Sequence, residues 1–339
     1  MAPPFASGCV VRVEKTECEP SFHITNKRKI ITMTSEIHRK LEAARLETLA
    51  QILEASPDYR VLRALDIKAT PEPPPGMFDD VRVLVVDVET TGLDAAADTI
   101  VEIAARPIVM DYLGAVVHIG EAVAFFQDPG SPLPLEIIAL TGLTDDNLRG
   151  QNIDDDAVHK LFENAELVIA HNANFDRRFI ERRFPSLPLR PWACSFAEID
   201  WRAEGFEGKG LNALLMQIGL FQPAAHRAAN DVDALVGLLM ANLSEERTVV
   251  KTLFESSRRP SLLFEATGSA FATKGVLRAR GYQWSQASGV WSREVQLPER
   301  AEEEYWLDSN VYAPTLNAKA SAPTVREITA LNRYSGRKP

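Results

Sequence analysis

The apolar run Val83-Leu84-Val85-Val86 is rich in β-branched residues and too short for a buried helix, so the pattern predicts a central strand. Side chains at i and i+2 of a strand share a face, which aims Asp87 and Glu89 the same way. Thr90-Thr91-Gly92 then ends the strand in a turn. A second apolar stretch, Val168-Ile169-Ala170, breaks into His171-Asn172-Ala173-Asn174-Phe175-Asp176 at the start of a predicted helix. Farther on, Ala234, Leu235, Leu238 and Leu239 recur at helical spacing. They place Asp231 in the first turn of an amphipathic helix and His226 on the loop before it.

The flanks read differently. Residues 1–33 mix proline, charge and small residues without periodicity and are expected to be disordered, with Met33 as an alternative start. Over 34–70 the spacing of Ile37, Leu41, Leu46, Leu49 and Leu53 predicts a helix capped by Ser35 and ended by Pro57. Asp58-Tyr59-Arg60-Val61-Leu62 is expected to open a short second helix. Two uses of the first helix stay open: packing back on the main domain, or pairing two copies of the chain. Pro71, Pro73, Pro74 and Pro75 predict a stiff linker over 71–80. A main domain follows over 81–245.

Beyond it, a strand at Leu262–Ala266, a helix at Lys274–Arg280, a hairpin around Gly289 and a helix over Pro298–Asn310 predict a small α+β domain over 255–312. Its Tyr282, Trp284 and Trp291 are expected mainly as core, although beside Arg278, Arg280 and Arg293 they could also stack bases. Residues 313–339 are expected to be a disordered tail.

Each polar cluster of the main domain has an ordinary structural reading when taken alone. Asp87 and Glu89 could be a solvated pair, Asp176 could compensate a helix dipole, and His226 could be a structural histidine. Together they are harder to explain, because four carboxylates a few ångströms apart repel by several kcal/mol at an intermediate dielectric, about 4 kcal/mol per pair. They must be protonated, splayed or neutralised by cations. Hard oxygen donors select Mg2+ or Mn2+. Cys194 is the only cysteine in this segment, which argues against a structural zinc site.

The order and spacing of these parts resemble the DEDDh branch of the DnaQ-like 3'-5' exonucleases, the superfamily of polymerase proofreading subunits, RNase T and oligoribonuclease. Asp87-Val88-Glu89-Thr90-Thr91-Gly92 matches the first family motif, His171 to Asp176 the second, and His226-x4-Asp231 the third. The likeness is to the DNA polymerase III epsilon-subunit type, in its stand-alone bacterial form. It implies an α/β, RNase H-like mixed sheet flanked by helices, with the small C-terminal α+β unit appended.

It also implies two Mg2+ or Mn2+ ions, about 3.5–4 Å apart as in two-metal sites generally. These would be held by Asp87, Glu89, Asp176 and Asp231, with His226 as the general base. Thr90, Thr91, Gly92, Thr141, Gly142, Leu143, Asn172 and Phe175 would contact the terminal nucleotide. The implied reaction releases nucleoside 5'-monophosphates from single-stranded 3' ends, DNA before RNA. An RNase T-like or oligoribonuclease-like enzyme, and a proofreading or assembly subunit of a polymerase or repair complex, remain as alternatives, as does a homodimer.

Other features are discounted. Asp233 faces away from Asp231 on the same helix, and Glu102 is expected to make a structural hydrogen bond. Gln217-Ile218-Gly219-Leu220-Phe221 resembles a sliding-clamp peptide, but a buried helix and its C-cap claim those positions. Arg177, Arg178, Arg182 and Arg183 could guide phosphates.

Net charge is −10, which argues against tight binding to long duplex. Lys and Arg against Asp and Glu number 13 against 26 over residues 81–249, and 13 against 9 over residues 250–339, so the acid is concentrated in the main domain. Three cysteines and no apolar run of membrane-spanning length predict a cytoplasmic protein without disulfides or a membrane anchor.

Overall fold

The computed structural model describes residues 21–72, 80–222, 225–245, 247–286, 288–313, 316, 318–320 and 322–337. The chain divides into two units, residues 1–61 and 62–339. In the first, helix α1 spans Ser21–Glu54, so helix replaces the disorder expected over 21–33. Its Leu41, Leu46, Leu49 and Leu53 are exposed. Residues 58–62 are not helical. Most of the expected proline linker, and residues 1–20, lie outside the described residues. Among the described residues no helix is long and apolar enough to cross a membrane.

The second unit opens with the two-residue strand β1 (Arg63–Ala64) and is built around a six-stranded mixed sheet. Its strands are β2 (Val81–Thr90), β3 (Ile100–Met110), β4 (Val116–Ile119), β5 (Val123–Phe126), β6 (Leu167–Ala170) and β7 (Trp192–Cys194). The order is β4-β3-β2-β6-β7, with β5 also paired to β3. β2 runs antiparallel to β3 and parallel to β6. This is a mixed sheet, as the family resemblance implies.

Alternation along β2 sorts its side chains between two cores. Val83 and Val85 face one way, toward α6 (Leu211–Gln217), α7 (Ala228–Leu239) and α8 (Val249–Ser257). Leu84, Val86 and Val88 face α4 (Asp155–Asn164) and α5 (Ala173–Arg183) on the other side. Asp87 and Glu89 continue the first set, so they emerge on the face covered by α7, the helix that carries Asp231. A glycine lets this face close: a Cβ on Gly237 of α7 would lie 2.7 Å from Leu65 Cδ1. The main domain therefore runs past the expected boundary at 245, because Val249, Val250 and Leu253 of α8 are part of its core. The short helices α2 (Leu135–Thr141) and α3 (Asp145–Leu148) pack on the sheet edge around Val101, and Thr144 caps α3.

Strand β8 (Leu220–Phe221) pairs with β1. Gln217, the first residue of the clamp-like stretch, exchanges hydrogen bonds with the Glu207 backbone through its side-chain amide. Those residues are used by the fold, as expected. The hairpin of β9 (Asn242–Ser244) and β10 (Arg247–Thr248) leads into α8.

The C-terminal part has a four-stranded sheet, β12-β13-β11-β14, with β11 (Ser261–Glu265), β12 (Gln283–Ser285), β13 (Val290–Gln296) and β14 (Thr324–Ile328). Helices α9 (Lys274–Arg280) and α10 (Arg300–Asn310) complete it. β14 corrects the sequence expectation of a disordered tail. It pairs with β11, and the chain after it docks on the six-stranded sheet, where the Trp192 amide of β7 donates to the Ala330 carbonyl at 2.8 Å. Arg177 of α5 is fully buried and donates to the carbonyls of Ala330, Leu331 and Arg333. The Tyr334 hydroxyl reaches Glu198, and Ser335 reaches Glu181. The interactions that order this tail are long-range in sequence, with no local periodicity to announce them.

Candidate active site

Three of the predicted residues converge closely. Glu89, His226 and Asp231 each bring a ligand atom within 4.8 Å of the others. Glu89 arrives from the end of β2, where the β2–β3 register slips between Glu89 and Thr90. A bulge of this kind re-aims side chains at the end of a ladder. Asp231 lies in the first turn of α7, and its Oδ2 accepts the His226 amide proton at 2.8 Å. That contact helps hold His226 at φ +62, a left-handed conformation uncommon for a residue with a side chain. The His226 side chain is exposed.

Asp176 joins from the opposite layer. β2 pairs with β6 only as far as Val85, so farther along its β6-side edge is open. There the Asp176 carboxylate accepts the Val88 amide at 3.1 Å. Asp176 sits in the first turn of α5, after Asn172 has taken a left-handed N-cap conformation. Asp87, one strand position before Val88, interacts electrostatically with Asp176, Asp231 and Glu89.

The electrostatics are those of crowded acids. Burial, followed by the charges of Asp176, Asp231 and Glu89, pushes Asp87 well above the usual carboxylate range. Burial and the neighbouring Asp231 and Glu102 push Glu89 up to about 7. Burial lifts Asp176 to about 8 despite the Val88 amide. Asp231 is also raised by burial, against hydrogen bonds from Gln222 and His226. Such a cluster holds protons or cations. Its donor set is oxygen-rich with one imidazole, which fits a hard divalent ion better than zinc.

Of the candidate nucleotide contacts, several also have clear structural work. Thr90 is buried and its hydroxyl donates to the Gly92 carbonyl. Thr91 bonds Asp98 and the Thr99 amide. A Cβ on Gly92 would meet the Asp98 carboxylate at 2.5 Å, so a larger residue there would displace that side chain. Gly142 is the left-handed C-cap of α2, Thr141 and Leu143 are buried, and Leu140 and Thr144 are exposed on either side of them. Asn172 is exposed, and half-buried Phe175 packs on Phe179 with ring centroids 4.8 Å apart.

The arginine run on α5 is mostly engaged elsewhere, which corrects its reading as a phosphate guide. Arg177 binds the C-terminal backbone, Arg182 the carbonyls of Ala95 and Asp98, and Arg183 pairs with Asp155 at 2.8 Å.

Sequence reasoning missed two residues. Gln222 donates to both Asn212 and Asp231, at 2.7 and 2.8 Å. Arg227 pairs with fully buried Glu102 at 3.1 Å, which makes Glu102 a structural acid as expected. Only the position of Arg227 beside the third motif could have drawn attention to it. His171 is also structural: burial lowers it to about 4, and its Nδ1 meets Ser195 Oγ at 2.8 Å.

The exonuclease family model of RNase T type matches residues 84–239. The PolC-type DNA polymerase III of Listeria monocytogenes is 30% identical over 189 residues, 53% of this chain and 12% of that protein. Ribonuclease T of Yersinia pseudotuberculosis is 34% identical over 119 residues, 31% of this chain and 55% of that one. The alignments thus span only part of both relatives. Among solved structures, exonuclease X in complex with 5' overhanging duplex DNA aligns at 23% identity with a TM-score of 0.40, covering 51% of this chain and 99% of that one. Exonuclease I of E. coli in complex with a dA16 oligonucleotide aligns at 18% identity with a TM-score of 0.43, covering 74% and 63%. From the middle of β2 to the end of α7, the stretch that carries every acid of the cluster, the chain matches the exonuclease family model.

Proposed function

We propose that this protein is a metal-dependent 3'-5' exonuclease that removes nucleotides from single-stranded DNA ends. The observation that carries the reading is the convergence of Glu89, Asp231 and His226, with Asp87 and Asp176 coupled to them. Asp87, Glu89, Asp176 and Asp231 would hold two Mg2+ or Mn2+ ions. When bound, these ions polarise the scissile phosphate and stabilise the charge that develops on the attacking and leaving oxygens. His226 takes a proton from the attacking water at an imidazole nitrogen, the water oxygen bonds to phosphorus as the P–O3' bond breaks, the departing 3' oxygen takes up a proton from solvent, and a nucleoside 5'-monophosphate leaves. Gln222 and the His226 amide fix the Asp231 carboxylate, and Val88 fixes that of Asp176. The PolC-type relatives support DNA, and association with a polymerase or repair complex, as the context.

The Ribonuclease T match favours a second reading, RNA 3' ends. The test compares 3'-labelled single-stranded DNA, single-stranded RNA and a mismatched primer terminus, with Mg2+ or Mn2+ and with excess chelator. Metal-dependent release of 5'-monophosphates from DNA is expected. Faster turnover of RNA would move the assignment to the second reading, and full activity in chelator would overturn both.

A further inference from the structure

The C-terminal part carries a cavity of about 750 Å³, remote in sequence from every catalytic motif. Its lining includes Phe271, Lys274, Arg278, Trp284, Trp291 and Lys319, and no acidic residue. Trp284 and Trp291 are cross-strand partners on β12 and β13, with ring centroids 5.6 Å apart and planes 60° apart. Trp291 also packs on the domain core, but Trp284 is 51% exposed and Phe271 is 82% exposed. The sequence expectation of a shared aromatic core thus holds for Tyr282, which is buried, and not for Trp284.

The cations are equally divided. Arg280 and Arg293 are held by buried Glu303, with Glu302 also on Arg280. Lys274 and Arg278 lie four residues apart on one face of α9, above the rings of Phe271 and Trp291 at 4.1 and 5.8 Å from the centroids. Lys319 is brought to the rim by its amide, which donates to the Gly268 carbonyl at 2.6 Å. Gly268 permits this approach, since a Cβ there would meet Ala320 at 2.8 Å. Among the described residues, none of these three cations has a carboxylate within ion-pair distance.

We infer that this cavity is a binding site for a run of single-stranded nucleic acid, with bases stacked on Trp284 and Phe271 and phosphates at Lys274, Arg278 and Lys319. A polyanion answers the three cations, and flat bases answer the exposed rings. An acidic peptide would satisfy the charges and leave the rings in water. The inference rests on the nucleic-acid reading of the catalytic domain and extends it. The residues after β14 lock this part to the nuclease sheet through Arg177 and Trp192, so a strand held here is presented in a fixed relation to the carboxylates.

The test uses the full chain. Two variants are made, Phe271→Ala with Trp284→Ala, and Lys274→Glu with Arg278→Glu. Fluorescence anisotropy in chelator measures binding of oligo-dT of about 30 nucleotides and of an abasic strand of equal length, a span that covers more than one stacking site. Hydrolysis of an oligo-dT of about 5 nucleotides in Mn2+ is followed separately. Both variants are expected to bind the long oligo-dT about ten-fold or more weakly, because stacking and phosphate contacts each carry effects of that order. Short-oligonucleotide hydrolysis should be unchanged. The wild type should prefer oligo-dT to the abasic strand, and the aromatic variant should lose that preference.

Equal binding of the long strand by wild type and both variants would overturn the inference. So would equal wild-type affinity for the abasic strand, which would mean charge alone. If the aromatic variant fails to fold, the charge reversals and the abasic comparison still decide. Absence of hydrolysis by the wild type would count against the exonuclease reading and leave the binding result to judge the cavity.

Discussion

Glu89 and Glu102 stand directly opposite each other across the β2–β3 ladder, two carboxylates where like charges destabilise a sheet. Arg227, which immediately follows His226, pairs with Glu102 and also acts on the charge of Glu89. Glu102 is fully buried and its Oε1 has no hydrogen-bond partner among the described residues. Arg227→Met is therefore expected to lower stability by about 1–3 kcal/mol, the cost of leaving a buried polar group unsatisfied. Adding Glu102→Gln should recover part of the loss. Denaturant titration of the single and double variants measures this, and a double variant less stable than Arg227→Met would rule out the charge explanation.

The acid cluster sets the pH response of the metal-free protein. Asp87, Glu89, Asp176 and Asp231 are all raised, Glu89 to about 7 and Asp176 to about 8. In the unfolded chain such groups ionise near about 4. Between these limits the folded chain holds protons that the unfolded chain has released, so stability falls as pH rises from about 4 through about 8. The thermal midpoint without metal should be higher at about pH 5.5 than at about pH 8.5. Mg2+ or Mn2+ should raise it more at the higher pH, where the ligands are ionised and the cation also stabilises the native state. A metal-free midpoint that climbed over this range would contradict the crowded-acid description.

In the proposed reaction the His226 side chain is the base, and its amide donates to Asp231. His226→Ala removes the imidazole and leaves the backbone donor, so turnover should drop about 10²–10⁴-fold with metal and substrate binding retained. Because position 226 has φ +62, His226→Asn serves as a conformational control: asparagine tolerates this region and lacks the base. Equal losses in both variants would assign the defect to the imidazole. Near-native turnover in either would remove His226 from the mechanism.

The parts of this site legible in the sequence were those fixed by local geometry. The two-residue period of β2 put Asp87 and Glu89 on one face, and the apolar spacing of α7 put Asp231 in its first turn. What pattern could not show was set by pairing between distant segments. Glu102 finds Arg227 across 125 positions, and the open edge of β2 that receives Asp176 exists because β6 is short. The α5 arginines illustrate the same limit. Their run along one helix suggested a guide for phosphates, but Arg177 is buried by a C-terminal segment more than 150 positions away.

That buried arginine makes the tail a structural element of the domain that carries the acid cluster. Arg177 pairs with Glu181 at 2.8 Å inside α5, and its remaining donors go to carbonyls of Ala330, Leu331 and Arg333. Ending the chain before β14 would strip those carbonyls away and expose the β7 edge at Trp192, leaving a charged group short of partners. Loss of one partner from a buried charged network costs about 3–5 kcal/mol, so truncation at residue 322 should lower the thermal midpoint by several degrees or more. Arg177→Met in the full chain removes the charge and keeps much of the apolar volume, and the same change in the truncated chain should cost less than it does in the full chain. Additive losses in this cycle would show that Arg177 and the tail act independently, contrary to the hydrogen bonds that join them.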